Sequence, residues 1–515
     1  MSTQRLQVQP ESYTDSVRLM SARRSMLDID GVSFAAAVMG TEANRSELRD
    51  RDFDADELSG TGANDLVLAV TADSDEVATE AITAGESALS GGAGGGVELG
   101  QERPARTLEQ GVEQLTDPNV ALISVPGEYA ALEAHKALTA GLHVLLFSSG
   151  VSPEAEIELK ERGVELGLLV MGPDAGTAML GGVGLGFANV VEPGPVGVVA
   201  AAGTGAQEVM TLLDRWGAGP SHVIGAGGRD PSSDVAGRML ELGLRTLQDD
   251  DATEILLIVS KPPAPEIAAS LVEGLQEKPV VAAFIGLDDR ELSVPDDVRL
   301  VTTLEKAALA CLEVLGRPTP DPAEGLAEVA ATAADGLSEG RRSLRGLFSG
   351  GTLCYETMVI ASQRLGPVHS NTPLEEDWSP PAPDDGHICL DLGAEEFTQG
   401  RPHPMIDPEP RVEQLLEHGR NPACAVVLFD VVLGHGAHSD PASVLAPACE
   451  EITGQDDGPA VVAYVLGTSA DPQGLEEQRQ ALRDAGCLVA PTNARAALLA
   501  TAIAARQPEI AESPA

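Results

Sequence analysis

From Thr107 onward, short apolar runs alternate with helical patterns almost without interruption. That alternation restricts the chain to parallel sheets covered by helices on both faces. A buried strand is expected at Val120–Val125, a helix at Glu128–Ala140, a strand at Val144–Phe147, a helix at Pro153–Gly163 and a strand at Gly167–Met171. A second block runs from about Val196 to Leu315, with strands Val196–Ala200, His222–Gly225, Ile255–Ser260 and Val280–Ile285. A third begins near Arg345 and carries strands His387–Asp391, Ala425–Val432, Ala460–Leu466 and Cys487–Ala490. The N-terminal part reads differently: strand-like Val32–Met39 and Leu66–Thr71, with helical patterns at Tyr13–Met26 and Ser74–Leu89, suggest a small α+β module. Ser90–Gly96 reads as a glycine linker and the Pro/Ala/Glu-rich Arg317–Glu339 as a second one. The expected fold class is therefore α/β, with three consecutive Rossmann- or flavodoxin-like parallel-sheet domains at 105–192, 193–318 and 340–510 behind the module at 1–95.

Charge narrows the partners. Among 515 residues, 80 acids face 33 Lys and Arg, a net charge of −47, which disfavours nucleic acid because phosphate neutralisation needs basic patches. Lysine occurs only at Lys136, Lys160, Lys261, Lys278 and Lys306. Scarce lysine with excess acid reads as adaptation to a high-salt, halophilic cytoplasm, where screening removes self-repulsion, or simply as a solvated acidic surface. The cysteines Cys311, Cys354, Cys389, Cys424, Cys449 and Cys487 form no C-x-x-C and sit in apolar stretches, as buried thiols of a cytoplasmic protein do. No signal peptide and no apolar run of membrane-spanning length is apparent, so neither secretion nor a membrane partner is expected.

The glycine turns lie where open α/β sheets bind ligands, beyond the carboxyl ends of the strands. Val196–Val209 passes from an apolar strand through Gly203-Thr204-Gly205 straight into a helical pattern. Such a turn presents free N–H groups to an anion, or is simply a tight strand–helix connection in which Thr204 caps the helix. It is not a dinucleotide fingerprint, since Glu208 stands at the third glycine position, nor a P-loop, so an oxidoreductase is disfavoured. A second strand–glycine–helix unit, Ala425–Gly436, ends in Gly434-His435-Gly436 and is expected to face the first across one phosphate. His435 and His438 lack a third ligand at a fixed local spacing, so no metal is expected there. Ile224–Pro231 ends a strand in a glycine turn that includes Gly228, followed by Arg229 and Asp230. Arg229 is a bidentate donor for phosphate or carboxylate and Asp230 either orients it or acts as an acid/base, unless the two only form a surface pair capping the following helix. Lys261 closes the apolar run Ile255–Ser260 and reads either as a cation at the ligand edge or as a snorkelling side chain. Gly400–Pro408 is a proline-locked loop bearing Arg401, His403 and Asp407, an oxyanion donor, a proton-exchanging group and an orienting acid in the functional reading.

These motifs and their order resemble the succinyl-CoA synthetase superfamily, and within it most closely the FdrA-like branch. Val170–Gly176, with Gly172-Pro173-Asp174, resembles the family's G-P-N-x-x-G segment; Val198–Glu208 resembles its S-x-S-G-T turn, aligned at Gly203 and Thr204; Gly225–Pro231 resembles its G-I-G-G-D-P. The final block resembles the C-terminal domain of the family's β chain. Leu390-Asp391-Leu392-Gly393 is similar to that domain's L-D-V-G-G, Val426–Asp440 is similar to its strand and glycine turn, and Gly350-Gly351-Thr352 would be its opening helix turn. Met39–Asn44, Gly203–Gly205, Ser260–Pro263 and Gly400–Pro408 are FdrA-like, and the likeness spans nearly the whole chain.

The resemblance implies two helix starts, one from each fused half, facing a shared phosphate, and acyl transfer between a thiol and phosphate through an acyl phosphate. Three features depart from the synthetases. Gly286–Arg290 has no histidine where they carry a phosphorylated one, no ATP-grasp-like segment lies between the halves, and the N-terminal CoA-binding glycine loop is not recognisable. FdrA-like proteins are associated with allantoin and purine breakdown, in which a carbamoyl group of oxalurate moves to phosphate and leaves oxamate. The resemblance thus implies acyl or carbamoyl transfer without phosphohistidine, with phosphate or carbamoyl phosphate as substrate, CoA as a further ligand, and an oligomer with other subunits. Two other functions stay open: a subunit of an acyl-CoA ligase, and a non-catalytic ligand-binding scaffold.

Overall fold

The computed structural model describes residues 3–10, 12, 14, 16–51, 53, 58–90, 105–273, 277–287, 292, 294–295, 297–398 and 401–515. The glycine linker beyond Ser90, residues 288–290 of the histidine-less turn, Tyr13 and Gly400 lie outside them. The chain divides into two compact units, one of Met1–Pro104 with Ala394–His403 and one of Ala105–Gly393 with Pro404–Ala515.

In the first unit an antiparallel sheet has Leu66–Ala72 between Thr3–Gln9 and Val32–Met39. Helices Ser16–Leu27 and Asp75–Ser90 cover one face, burying Leu19, Ala22, Met26, Ala78 and Ile82 against Leu68 and Val70. The strand Thr3–Gln9 was not expected from the sequence. Its TQRLQVQ is mostly polar because it is a half-exposed edge strand.

The second unit contains three sheets. The smallest is parallel and comprises Val120–Ile123, His143–Leu146 and Val170–Met171. The second holds five parallel strands in the order Val298–Val301, Val280–Phe284, Ile255–Ser260, Val196–Ala200 and Pro220–Gly225. An antiparallel hairpin, Thr177–Leu180 and Val183–Gly186, extends its far side. That hairpin lies before residue 192 in sequence yet completes the sheet that follows it. The third sheet is parallel throughout, in the order Val368–His369, His387–Asp391, Ser343–Phe348, Cys424–Val432, Ala460–Leu466 and Leu488–Ala490.

The second and third sheets repeat one plan. Each places its opening strand inside the sheet and follows it with a helix that starts at glycine, Gly203–Arg215 or Gly351–Leu365. Each ends with a helix capped by a threonine hydroxyl, Thr303 before Leu304–Val314 and Thr492 before Asn493–Ala505. The sequence carries the repeat as Gly203-Thr204…Glu208 and Gly351-Thr352…Glu356. The two halves share one apolar core, in which Val198, Leu212 and Leu257 join Leu344, Phe348, Leu353 and Leu499. Each such side chain contributes about 1.5–3 kcal/mol on burial, which welds the halves together.

The segment read as a linker, Arg317–Glu339, contains a packed helix, Leu326–Asp335. Leu326, Ala330 and Ala334, four apart, form one buried stripe, so periodicity prevailed over composition. The six cysteines are free and buried. Among the described residues no helix is long and apolar enough to cross a membrane.

Candidate functional site

The continuations of the two opening strands meet. Val196–Ala200 leads through Ala201-Ala202 into helix Gly203–Arg215, and Ser343–Phe348 leads through Ser349-Gly350 into helix Gly351–Leu365. Neither helix start has a side-chain cap, so the first-turn N–H groups have no partner within their own helix. At the junction the Thr352 N–H donates to Thr204 Oγ1 at 3.3 Å. A Cβ on Gly350 would stand 2.8 Å from Thr204 Cγ2 and 2.9 Å from its Oγ1, so the approach requires glycine. Gly205 is the counterpart on the other side, buried against the Thr352 methyl. Gly350→Ala is expected to cost about 1–3 kcal/mol by forcing the helix starts apart. The urea midpoint measures this, with Gly336→Ala, whose added methyl meets nothing closer than 3.7 Å, as the control that stays near wild type.

A buried ion pair sets the second turn. Asp430, on strand Cys424–Val432, accepts from the Ser349 N–H at 2.8 Å, the Ser349 hydroxyl at 3.0 Å and the Gly350 N–H at 2.9 Å. Its charge is balanced by Arg411 at 2.9 Å. Both side chains are out of water, where a carboxylate is retained only if paired and hydrogen-bonded.

Two titratable groups complete the junction. Lys261, directly after strand Ile255–Ser260, holds its ammonium 4.9 Å from the centre of the Tyr355 ring, over its face. Asp391 ends strand His387–Asp391, with its Oδ2 2.5 Å from where a Cβ on Gly351 would stand. The Asn371 amide brackets its backbone at 2.9 and 3.0 Å, and the Gly393 N–H donates to its Oδ1 at 3.0 Å. Burial pushes the Asp391 carboxyl up to about 6, against the opposing pull of Lys261 and the Gly393 N–H, and with a smaller upward push from Asp430 and Asp174. Burial thus keeps a protonatable acid beside a cation and two glycine-led helix starts.

A carboxyl raised in this way favours folding below its unfolded pKa and loses that contribution as pH rises through about 6. Asp391→Asn is therefore expected to gain on wild type between pH 4 and 6, by up to about 3 kcal/mol, and to keep that gain at higher pH. Urea unfolding of both proteins across that range tests the sign; a constant gap would show that Asp391 is not held protonated.

Of the residues expected from the sequence, Gly203, Thr204, Gly205 and Lys261 come together here. The turn expected to face them, Gly434-His435-Gly436, does not supply the second helix start; Gly350–Thr352 does. At the Gly434 turn the Gly434 N–H goes to Gln473 Oε1 at 3.0 Å and the His435 N–H to the Ala188 carbonyl at 2.8 Å. Asn189, at 2.9 Å from the Leu433 carbonyl and 2.8 Å from Asp471, plugs the same place. The helix beyond, Pro441–Thr453, is capped by Asp440. Gly436 and the His435 side chain are exposed.

Arg229 and Asp230 take up structural partners. Asp230 is fully buried, accepting from Lys160 at 2.8 Å and from the Met239 and Leu240 N–H groups at 3.2 and 2.9 Å. Arg229 pairs with Glu156 at 2.7 Å and donates to the Val151 carbonyl at 2.7 Å, while Gly228 stands exposed beside it. Arg401 and His403 belong to the first compact unit, where the Arg401 N–H donates to the Thr398 carbonyl at 3.1 Å. Asp391 and Asp430 were not singled out as site residues from the sequence. The signal that could have found the partner turn is the repeated Gly-Thr-x-x-x-Glu.

Residues 347–503 match the CoA-ligase family, and residues 1–104 match a family described as AllF, heavy metal-associated domain. Among the described residues no group of three or more His, Cys, Asp or Glu is arranged to hold a metal ion. The uncharacterized protein YahF of Escherichia coli K12 is 36% identical over 518 residues, covering 96% of this chain and 97% of that protein. The alpha 2 subunit of the ADP-forming succinate–CoA ligase of Archaeoglobus fulgidus is 30% identical over 177 residues, covering 33% of this chain and 60% of that protein. Among solved structures, the apo dinucleotide-forming acetyl-coenzyme A synthetase 1 of Ca. Korarchaeum cryptofilum aligns over 81% of this chain and 89% of its own, at 16% identity and a TM-score of 0.32.

Proposed function

Because the chain belongs to the FdrA-like family, relatives of the succinyl-CoA synthetase α subunits and the acyl-CoA synthetases, we propose that it transfers an acyl-type group, specifically a carbamoyl group, to or from phosphate. The observation that carries this reading is the junction itself: two glycine-led helix starts from two sheets, Gly203-Thr204 and Gly351-Thr352, meeting where the Thr352 N–H donates to Thr204, with Lys261 and Asp391 beside them. Helix starts favour a phosphate through their N–H groups and dipoles. Lys261 adds a fixed positive charge where negative charge develops, the kind of stabilisation that is strongest in a site arranged in advance.

In the forward direction a phosphate oxygen attacks the ureido carbonyl of oxalurate, and the tetrahedral oxyanion forms near Lys261. The carbon–nitrogen bond then breaks and the departing nitrogen takes a proton, giving carbamoyl phosphate and oxamate. Asp391, raised to about 6, is the group suited to giving that proton and taking it back in reverse. Nothing in this sequence of steps needs a phosphorylated histidine.

Incubation with carbamoyl phosphate and oxamate, following release of phosphate, is expected to show turnover. No release, even with the products of neighbouring genes supplied, would sink the proposal. A second reading, one subunit of an acyl-CoA ligase, is supported by the CoA-ligase match at 347–503 and the succinate–CoA ligase relative. It requires phosphate consumption with an acyl-CoA instead.

A further inference from the structure

Glu208 and Glu356 are fully buried carboxyls that the proposed transfer leaves unused. Each lies five residues beyond the first glycine of its helix, Gly203 or Gly351, on a phosphate-facing helix, about 7.5 Å along the axis. Each reaches across to the other half. Glu208 accepts from the Asn493 N–H at 3.2 Å, and Glu356 from the Leu304 N–H at 2.7 Å. These are the first residues of the helices that close the opposite sheets, Asn493–Ala505 and Leu304–Val314. A helix start has N–H groups without partners of its own, so a carboxyl from the facing half is a natural anchor for it.

The surroundings leave these arms little freedom. The Tyr464 hydroxyl donates to Glu208, and the Asn493 side chain donates to Glu356 at 2.7 Å. A third buried acid, Glu305, accepts from the Thr492 hydroxyl at 2.6 Å and pairs with Arg495. Burial first, then the nearby Glu208 and Glu305 carboxyls, pushes Glu356 up to about 8. Burial also raises Glu208. Glutamine keeps the length of either arm and one accepting oxygen, so it separates arm length from the second accepted bond.

We propose that Glu208 and Glu356 are reciprocal positioning residues, which hold the first turns of the two facing helices at the spacing one phosphate needs. The arms cross, so shortening either one shifts the helix that carries Thr204 or Thr352. This inference rests on the phosphate reading of the junction.

The test compares phosphate affinity by calorimetry with the urea midpoint for Glu208→Asp, Glu356→Asp, Glu208→Gln and Glu356→Gln. The aspartates keep a carboxyl on an arm one methylene shorter, while the glutamines keep the length. Positioning predicts phosphate bound about tenfold or more weakly by the aspartates and within about threefold of wild type by the glutamines, since small misplacements at such a site are costly. Asn493→Ala, which removes one donor to Glu356 and leaves both carboxyls, is the milder form should an aspartate variant fail to fold, with affinity about five- to tenfold weaker. Folded Asp or Ala variants that bind phosphate as wild type does would reduce the two glutamates to interface glue and overturn the inference alone. A wild-type protein that binds no phosphate would overturn the inference together with the reading beneath it.

Discussion

Lys261→Met is expected to lower phosphate-dependent carbamoyl transfer about 10²–10³-fold, the usual loss when one fixed donor to a developing oxyanion is removed. The substitution keeps the length of the stem against Tyr355 and removes only the charge, so the fold should survive. Affinity for phosphate should fall as well, because the helix starts contribute partial charges and Lys261 a whole one. Removing the cation also removes the group that draws the Asp391 carboxyl down, so Asp391 should titrate higher in the variant. Steady-state phosphate release against pH reads both effects together. A Lys261→Met protein with wild-type turnover would remove Lys261 from the catalytic site, whereas no phosphate release from either protein would favour the non-catalytic scaffold.

The second large effect concerns stability. Lys160 is completely buried, held by Glu156 at 2.7 Å, Asp230 at 2.8 Å and the Ala226 carbonyl at 2.9 Å. Lys160→Met would leave two buried carboxylates, of which Asp230 has no other cation among the ion pairs of the described residues. A loss of about 3–5 kcal/mol is expected, as for other buried pairs broken from one side. Adding Asp230→Asn to Lys160→Met should recover part of the loss, because the asparagine buries no charge and its single amide oxygen can still accept the shorter of the two bonds, from the Leu240 N–H. Denaturant unfolding of the single and double variants decides it: equal stability of the two would mean the triad contributes through packing alone.

The contrast between Lys160 and Lys261 marks where reading the sequence stops. Both lysines are rare survivors in a chain of net charge −47. Nothing local to Lys160 announces that it is a buried strut, because its partner Asp230 is seventy positions away. For the same reason Arg229 and Asp230 read as ligand-binding groups. The turn is glycine-rich and ends in a charged pair, yet one of that pair caps a helix and offsets a buried ammonium.

The choice of partner turn failed in a related way. Gly434–Gly436 and Gly350–Thr352 both follow apolar strands and both precede helices. Sequence pattern does not separate them, since each carries two glycines, whereas the fold separates them by which turn is already filled and which meets its counterpart. Asn189 and Gln473 fill the first, and Thr204 meets the second.

Much was settled before any tertiary contact. Apolar runs of strand length alternating with helices dictate parallel sheets, since only helix-covered strands can be apolar on both faces. The glycine turns had to lie at the strands' carboxyl ends, and Gly203-Thr204-Gly205 was placed correctly as a helix start. What only the tertiary structure decided is which groups from distant segments share one small volume: Thr204 with Thr352, Lys261 with Tyr355, Asp391 against Gly351. Those pairings depend on strand order and on the packing of one half against the other. Local sequence encodes neither, because hydrophobic burial is non-directional and becomes specific only when whole surfaces fit.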